Sequence, residues 1–427
     1  MKLYIFNPDT DLALANGKGN YTPTDGVRQM ISDLSLLPVW YAQPGSYVVA
    51  DSKYGDTFLE EMTQLFGLDV RLLSWADMTS LFKQAPASGQ PVGPDSKTAM
   101  YVKMPVGPVE VQPWGWNTSF RNMLIRAGIN SQYLPTDAQL EQRRHLSQRG
   151  VVRQVLRQFV APANCCTSNN LTDGGIVGIS RNVDTTDECA AFFHQYQSDG
   201  GVVFKEPWSS SGKGLLWCRE SFNDRDKNWC QRVIDTQGYV TASPIYNKVQ
   251  DFAMEFFVGD EPNHEVSFLG YSLFTTDQKG FYKGNALMSN AEIEKVLTQY
   301  VSKALLDETL AAIGSFLLKE GYKGCVGVDM MICQEPQGMC IHPCVEINYR
   351  HTMGYVARVI TDRFLAEGVK GKFMIQHFRT HEQLTTFVDE SKSNFPLNIK
   401  QGKFFSGFLP LVPITPHSLN IAYIVSS

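Results

Sequence analysis

No apolar run in this 427-residue chain approaches the roughly 20 residues that a helix needs to cross a bilayer. The N-terminal stretch MKLYIFNPDT breaks at Asn7-Pro8 and has neither the longer apolar core nor the small-residue cleavage site of a secretory leader, so a cytoplasmic location is expected. The nine cysteines are odd in number and lack framework spacing, which points to reduced thiols. Cationic excess is missing too. A formal net charge of −5 excludes a global field for nucleic acid or anionic membrane, so any anion site must be local. Internal repeats and low-complexity tracts are also lacking.

One cysteine cluster deserves a test as a metal site: Cys340-Ile-His-Pro-Cys344, with Cys333 upstream. A structural zinc needs four convergent ligands, and no second CxxC or HxxxH completes the set. These cysteines read as small apolar strand residues.

The chain is 43% hydrophobic and 19% charged, enough core-forming material for two or three domains. Residues 1–135 alternate strand-like LYIFN, YVVADS and LDVRLLSW with the helical DTFLEEMTQLFG, which predicts a parallel, doubly wound layer. QAPASGQPVGPDSK reads as a long surface loop. A basic helical pattern follows from Thr136 or Asp137 as N-cap, then a strand-rich part from Gly174 to Ala242. DFAMEFFVG and EVSFLGYSLFTT predict two strands around a turn. From Asn290 to Lys319 the spacing of Ile293, Val296, Leu297, Tyr300, Val301, Ala304 and Leu305 predicts one long amphipathic helix, with Gly321 after its end. The last sixty or so residues read as a helix followed by strands.

Two constellations carry chemistry. The first is VVFKEPWSSSGKGLLW, Val202 to Trp217. As a Walker P-loop it fails, because Pro207 stands where the first glycine belongs and Gly214 where a hydroxyl must hold magnesium. The GxGxxG dinucleotide pattern fails as well. What remains is a strand lysine, Lys205, costly to bury without an anionic partner. After it come Ser209, Ser210, Ser211, Gly212, Lys213 and Gly214, a flexible loop of donors suited to closing over polyphosphate. The plain alternative is an edge-strand lysine beside a surface loop.

The second is GCVGVDMMICQEPQGMCIHPCVEINYR, two strands joined by a Pro-Gln turn. Pairing Glu335 with Gly338 sets Asp329 opposite Cys344 and Gly327 opposite Glu346. Alternation then puts Asp329, Glu346, Asn348 and Arg350 on one face. Two carboxylates and an amide oxygen are hard ligands suited to magnesium, and Arg350 is in reach of the same phosphates. The alternative is a solvated sheet face of mixed charge.

Together these segments resemble the ATP-grasp superfamily over roughly residues 140–355, most specifically in GYKGCVGVDMMI and CVEINYR. The resemblance implies two α+β subdomains holding ATP between them, preceded by an N-terminal α/β domain. The implied boundaries are 1–135 for the first domain, 136–241 for the lid and 242–427 for the catalytic part with its extension. By position, Lys205 resembles the lid lysine on the ATP phosphates and Ser209 to Gly214 the flexible loop. Asp329, Glu346 and Asn348 resemble the metal ligands, and Arg350 the phosphate- or substrate-side arginine. Lys205 and Arg350 are thus the residues implied to serve the reaction directly.

The chain departs from the family's acidic hinge at Ser243-Pro244-Ile245, and Asp251 is the candidate for the ribose. The family's other phosphate-binding lysine has no clear counterpart; Arg149, Arg153 or Arg157 are candidates. Asp9 and Asp11, in NPDTDLALANG at the end of the first strand, are either substrate contacts or helix-capping acids. The resemblance implies an ATP- and magnesium-dependent ligase that joins a small carboxylate to an amine through an acyl phosphate and forms ADP. A small-molecule kinase and a non-catalytic nucleotide-binding protein are the rivals. Neither nucleic acid nor membrane is an implied partner, and an oligomer is compatible with the sequence.

Overall fold

The computed structural model describes residues 1–51, 54–84, 108–159, 173–209, 212–259, 265–277, 280–336 and 338–426. Their strands gather into three sheets. The first is parallel, in the order β3-β2-β1-β4, from β1 (Lys2–Ile5), β2 (Ser46–Val49), β3 (Val70–Leu73) and β4 (Glu110–Pro113). It is accompanied by α1 (Thr10–Asn16), α2 (Asp25–Asp33), α3 (Gly55–Phe66), α4 (Trp75–Gln84) and α5 (Thr118–Arg126). Every residue of β2 is buried, as a parallel strand covered on both faces must be. The expected doubly wound layer is present. The stretch predicted as a long loop, 84–97, lies outside the described residues beyond Gln84, and β4 beyond it was not foreseen.

The basic helical pattern forms two helices. α6 (Asp137–Leu146) opens on a capping box between Thr136 and Gln139, and α7 (Val152–Phe159) follows a turn at Arg149. β5 (Asp173–Ile176) then pairs with a strand of the third sheet.

The second sheet is antiparallel, order β6-β9-β7-β8, from β6 (Arg181–Val183), β7 (Val202–Lys205), β8 (Leu215–Cys218) and β9 (Val240–Pro244). Two helices interrupt what the sequence predicts as strand-rich: α8 (Thr186–Tyr196), capped by Thr185, and α9 (Asp224–Gln237), capped by Asn223. They cover one face, burying Phe192, Phe193, Cys230 and Val233 with Val202, Phe204, Val240 and Ala242. Alternation leaves Val203, Lys205, Thr241 and Ser243 on the other face.

The third sheet has ten strands in the order β16-β17-β18-β15-β12-β11-β10-β13-β14-β5. They are β10 (Lys248–Val258), β11 (Val266–Thr276), β12 (Tyr282–Leu287), β13 (Gly324–Glu335), β14 (Gly338–Asn348), β15 (Gly371–His377), β16 (Asn398–Lys400), β17 (Lys403–Pro410) and β18 (Asn420–Ser426). The predicted single helix is instead α10 (Asn290–Leu297) and α11 (Lys303–Lys319), because the Ser302 side chain caps a fresh start. The buried face restarts with it, so Leu306 is buried while Ala304 is exposed. α12 (Met353–Phe364) and α13 (His381–Asn394) complete the set. Asp33 of α2 ties the first layer to β18: it accepts from the backbone amides of Leu419 and Asn420 (3.0 and 2.9 Å) and from Asn420 Nδ2 (2.8 Å). Among the described residues, no helix is long and apolar enough to cross a membrane.

The hairpin pairing is corrected in one respect. β13 and β14 pair as expected from Glu335–Gly338 to Met331–His342, and then the register shifts. Asp329 faces Glu346 rather than Cys344, and Gly327 faces Asn348 rather than Glu346. Pro343, with no N–H to give the ladder, lies in the step. A shift of two residues preserves parity, so the polar set still shares one face.

Candidate active site

The polar face of β13 and β14 is built on that register. Asp329 is directly opposite Glu346, and Asn348 Nδ2 donates to Asp329 Oδ2 at 3.1 Å. Burial, with Glu346 and Glu255 nearby, holds the Asp329 carboxyl well above the ordinary carboxylate range. Asp329 and Glu346 are both half-buried and face each other across the hairpin.

Cations arrive from the other side. Lys205 ends β7 half-buried; desolvation, with the Arg149 guanidinium beside it, lowers its ammonium to about 8 while Glu346 pulls the other way. Arg149, 4% exposed, contacts Glu346 at 3.3 Å and donates to Ser209 Oγ at 2.5 Å and to the Glu206 carbonyl at 3.0 Å. Its own amide donates to the Pro207 carbonyl at 2.9 Å. Of the three candidate arginines, Arg149 alone reaches the carboxylates; Arg153 and Arg157 are exposed on α7.

Arg350 follows β14 and is committed elsewhere. Its Nε and Nη2 donate to the Asp11 carboxylate at 2.7–3.1 Å, Nη2 also donates to Asn348 Oδ1 at 2.8 Å, and Nη1 donates to the His351 carbonyl at 3.0 Å. Asp11 is therefore a partner of the site and not merely a capping acid of α1.

Sequence reading missed Glu255, on β10 opposite Gly327. Thr352 Oγ1 donates to it at 2.8 Å, and burial pushes its carboxyl up to about 7. Its room depends on Gly354, where an added Cβ would stand 2.0 Å from Glu255 Oε1. The available signal was a lone acid inside the apolar run FAMEFFV, the same signal that singled out Lys205.

The remaining predicted residues divide. Ser209 is in the site, and its hydroxyl also donates to the Lys213 carbonyl at 2.8 Å. Gly212 (φ +69°) and Gly214 (φ +64°) take left-handed backbone that favours glycine, and an added Cβ at Gly212 would meet Phe281 at 2.6 Å. Lys213 is exposed, and Ser210 and Ser211 lie outside the described residues. Asp251 is on the carboxylate face of β10, two residues from the partner of Asp329, and is held by Lys248 Nζ at 2.6 Å and Thr276 Oγ1 at 2.9 Å. Cys333 and Cys340 sit opposite each other, buried like Cys344 and outside any disulfide.

One cavity, of about 710 Å³, lies elsewhere, between β11 and α11, and among its lining residues only Glu265 is charged. A much smaller cleft, of about 10 Å³, is lined by Asp11, Trp208, Ser209, Glu346 and Asn348. Converging charge, not volume, places the chemistry at the smaller one.

Among the described residues no cluster of three or more His, Cys, Asp or Glu side chains is arranged for a metal. The magnesium implied by the resemblance calls for a different set. The facing Asp329 and Glu346 carboxylates with the Asn348 amide are hard oxygen donors, and the raised Asp329 carboxyl is what a divalent cation would relieve, so these residues fit the ion.

No protein-family model matches the chain, and no curated protein matches it in sequence. Among solved structures it is similar to N5-carboxyaminoimidazole synthetase from Staphylococcus aureus complexed with ADP, at 13% identity and TM-score 0.47, covering 100% of this chain and 93% of that one. It is similar to biotin carboxylase from Campylobacter jejuni in a β-γ-ATP complex, at 10% identity and TM-score 0.48, covering 100% and 87%. Carboxyaminoimidazole ribonucleotide synthase from Aspergillus clavatus complexed with ATP gives 12%, 0.44, 91% and 94%.

Proposed function

We propose that the chain is an ATP- and magnesium-dependent, ADP-forming ligase that joins a carboxylate to an amine or similar nucleophile. The observation that carries this is the convergence of Lys205 and Arg149, from the side of the small sheet, on Glu346, itself opposite Asp329. Cations facing half-buried acids form a cleft that accepts a polyphosphate with its metal.

In this reading the sheet of β6 to β9 with its 209–214 loop is a lid, and the ten-stranded sheet is the catalytic wall. Lys205 and Arg149 neutralise phosphate oxygens, Arg149 serving as the second phosphate cation. Asp329, Glu346 and Asn348 would hold magnesium, which supplies charge neutralisation on the transferring phosphoryl group. The substrate carboxylate attacks the γ-phosphorus, the bond to the β–γ bridging oxygen breaks, and ADP leaves. The nucleophile then attacks the acyl carbon, phosphate departs and the nitrogen sheds a proton. No covalent protein nucleophile is needed; the chain positions, neutralises and excludes water.

Product analysis tests this. With its carboxylate, ATP is expected to give ADP and phosphate, and hydroxylamine to trap a hydroxamate when the amine is omitted. A stable phosphorylated product inert to hydroxylamine would mean a kinase. AMP and pyrophosphate would contradict the mechanism.

A further inference from the structure

The cysteines of the hairpin are not arranged for a metal, but two of them meet. Strand register sets Cys333 of β13 directly opposite Cys340 of β14. Cys344 belongs elsewhere: it packs with Met330, Ile341 and Ile347 in the apolar core on the other face of the sheet.

Residues directly opposite on antiparallel strands stand about 4.5–5.5 Å apart at Cα, inside the span of about 4.4–6.8 Å that a disulfide bridges. The Gln334 amide donates to the Asn247 carbonyl at 2.8 Å, away from β14. The amide of Cys333 therefore faces β14, and the pair is of the wider, hydrogen-bonded kind. A bond there draws the two Cβ atoms from about 5.5 Å to about 4 Å. The hairpin can make it with a small strand shift, and a bond made under such strain is readily reduced.

Both side chains are fully buried, and burial pushes the Cys333 thiol up to about 12, so it is no nucleophile while the hairpin is closed. Opening the tip changes that. Only two rungs, Gln334–Met339 and Glu335–Gly338, lie beyond the pair, so a local fray exposes it without unfolding the sheet.

We propose that Cys333 and Cys340 form a reversible cross-strand disulfide, made by exchange with a low-molecular-weight disulfide. One protein thiolate attacks a sulfur of the small disulfide and expels one small thiol. The second cysteine attacks the mixed disulfide, forms the cross-strand S–S bond and expels the other. Two protein thiols are oxidised and one small disulfide is reduced to two thiols, which carry away the two protons. The bond fastens the tip of the hairpin that carries Asp329 and Glu346, one row from Asp251, Met331 and His342. This chemistry is independent of the ligase reaction.

Oxidised glutathione, added to the full chain, is the probe. After the remaining thiols are blocked, cyanogen bromide cuts at Met331, Met339 and Met353, which puts Cys333 in peptide 332–339 and Cys340 in peptide 340–353. From the oxidised wild type the two peptides are expected joined, and apart after dithiothreitol. Peptides recovered apart, each blocked or carrying glutathione, would overturn the proposal. Cys344→Ser is expected to keep them joined and Cys340→Ser to keep them apart. Joined peptides from Cys340→Ser would put Cys344 in the bond and would equally overturn it. Amide exchange at Gln334, Glu335 and Met339 in the wild type is expected to slow about 10-fold on oxidation, because fraying of the tip is what the bond prevents. Unchanged exchange in chains whose peptides are joined would overturn the fastening of the tip.

Discussion

The guanidinium of Arg350 grips the carboxylate of Asp11 across 339 residues of chain, joining the end of β14 to the first turn of α1. Asp11→Ala strands a largely desolvated cation. A loss of about 3 kcal/mol in urea unfolding is expected, the low end for a broken buried pair because both side chains keep some exposure. A loss under about 1 kcal/mol would class the pair with surface bridges.

Glu346 faces Asp329 and also receives Arg149, so its charge serves metal and cation together. Glu346→Gln keeps the shape and removes the charge. The variant is expected to fold, to lose turnover by at least about 100-fold, and to bind nucleotide with little dependence on magnesium. Undiminished turnover in the folded variant would remove the site assignment.

Glu255 gives a pH signature. Its carboxyl stands at about 7 in the folded chain against 4.5 in an ordinary setting. Its contribution to stability is fully present below about pH 4.5 and is lost as pH rises through 7. Burial outweighs the opposing Thr352 hydroxyl and the Arg350 charge. Two buried histidines act the other way: His342, lowered to about 3, and His351, lowered to about 4, cost stability as pH falls below 6.5. Comparison with Glu255→Gln isolates the acid. Going from pH 4.5 to 8, the variant should gain about 3 kcal/mol on wild type in denaturant unfolding. A constant difference across that range would show that Glu255 is not held neutral.

The loop after Ser209 offers a cheaper test. Lys213 is exposed between two glycines in left-handed backbone. Trypsin cleavage there is expected to slow several-fold when ATP and magnesium are added. Equal rates with and without nucleotide would count against a closing lid.

How much of this was legible in the sequence depends on how local each signal was. Lys205 stood out because a lysine among Val202, Val203 and Phe204 has no cheap place in a strand. The face shared by Asp329, Glu346 and Asn348 was legible because strand alternation is a two-residue rule that survives the shift at Pro343. The shift itself was not, since pairing was extrapolated from the turn. α8 and α9 escaped because their helical signal lies in the caps Thr185 and Asn223 more than in apolar spacing. The choice of Arg149 over Arg153 and Arg157, and the pairing of Asp11 with Arg350, depend on contacts between distant elements that no local pattern encodes.

The tie between Asp33 and Asn420 also sets a timetable for biosynthesis. The carboxylate emerges from a ribosome 387 residues before the amides that satisfy it. At about 5–20 residues per second, the first layer waits on the order of 20–80 s for its partner strand. β18, moreover, is an interior strand of the ten-stranded sheet, between β17 and β15, so β15, which ends at His377, is without its outer neighbour while the chain up to Asn420 is made. Closing contacts this distant is slow, and an open strand edge invites association with other nascent chains. Asp33 thus stays without these partners until β18 is delivered.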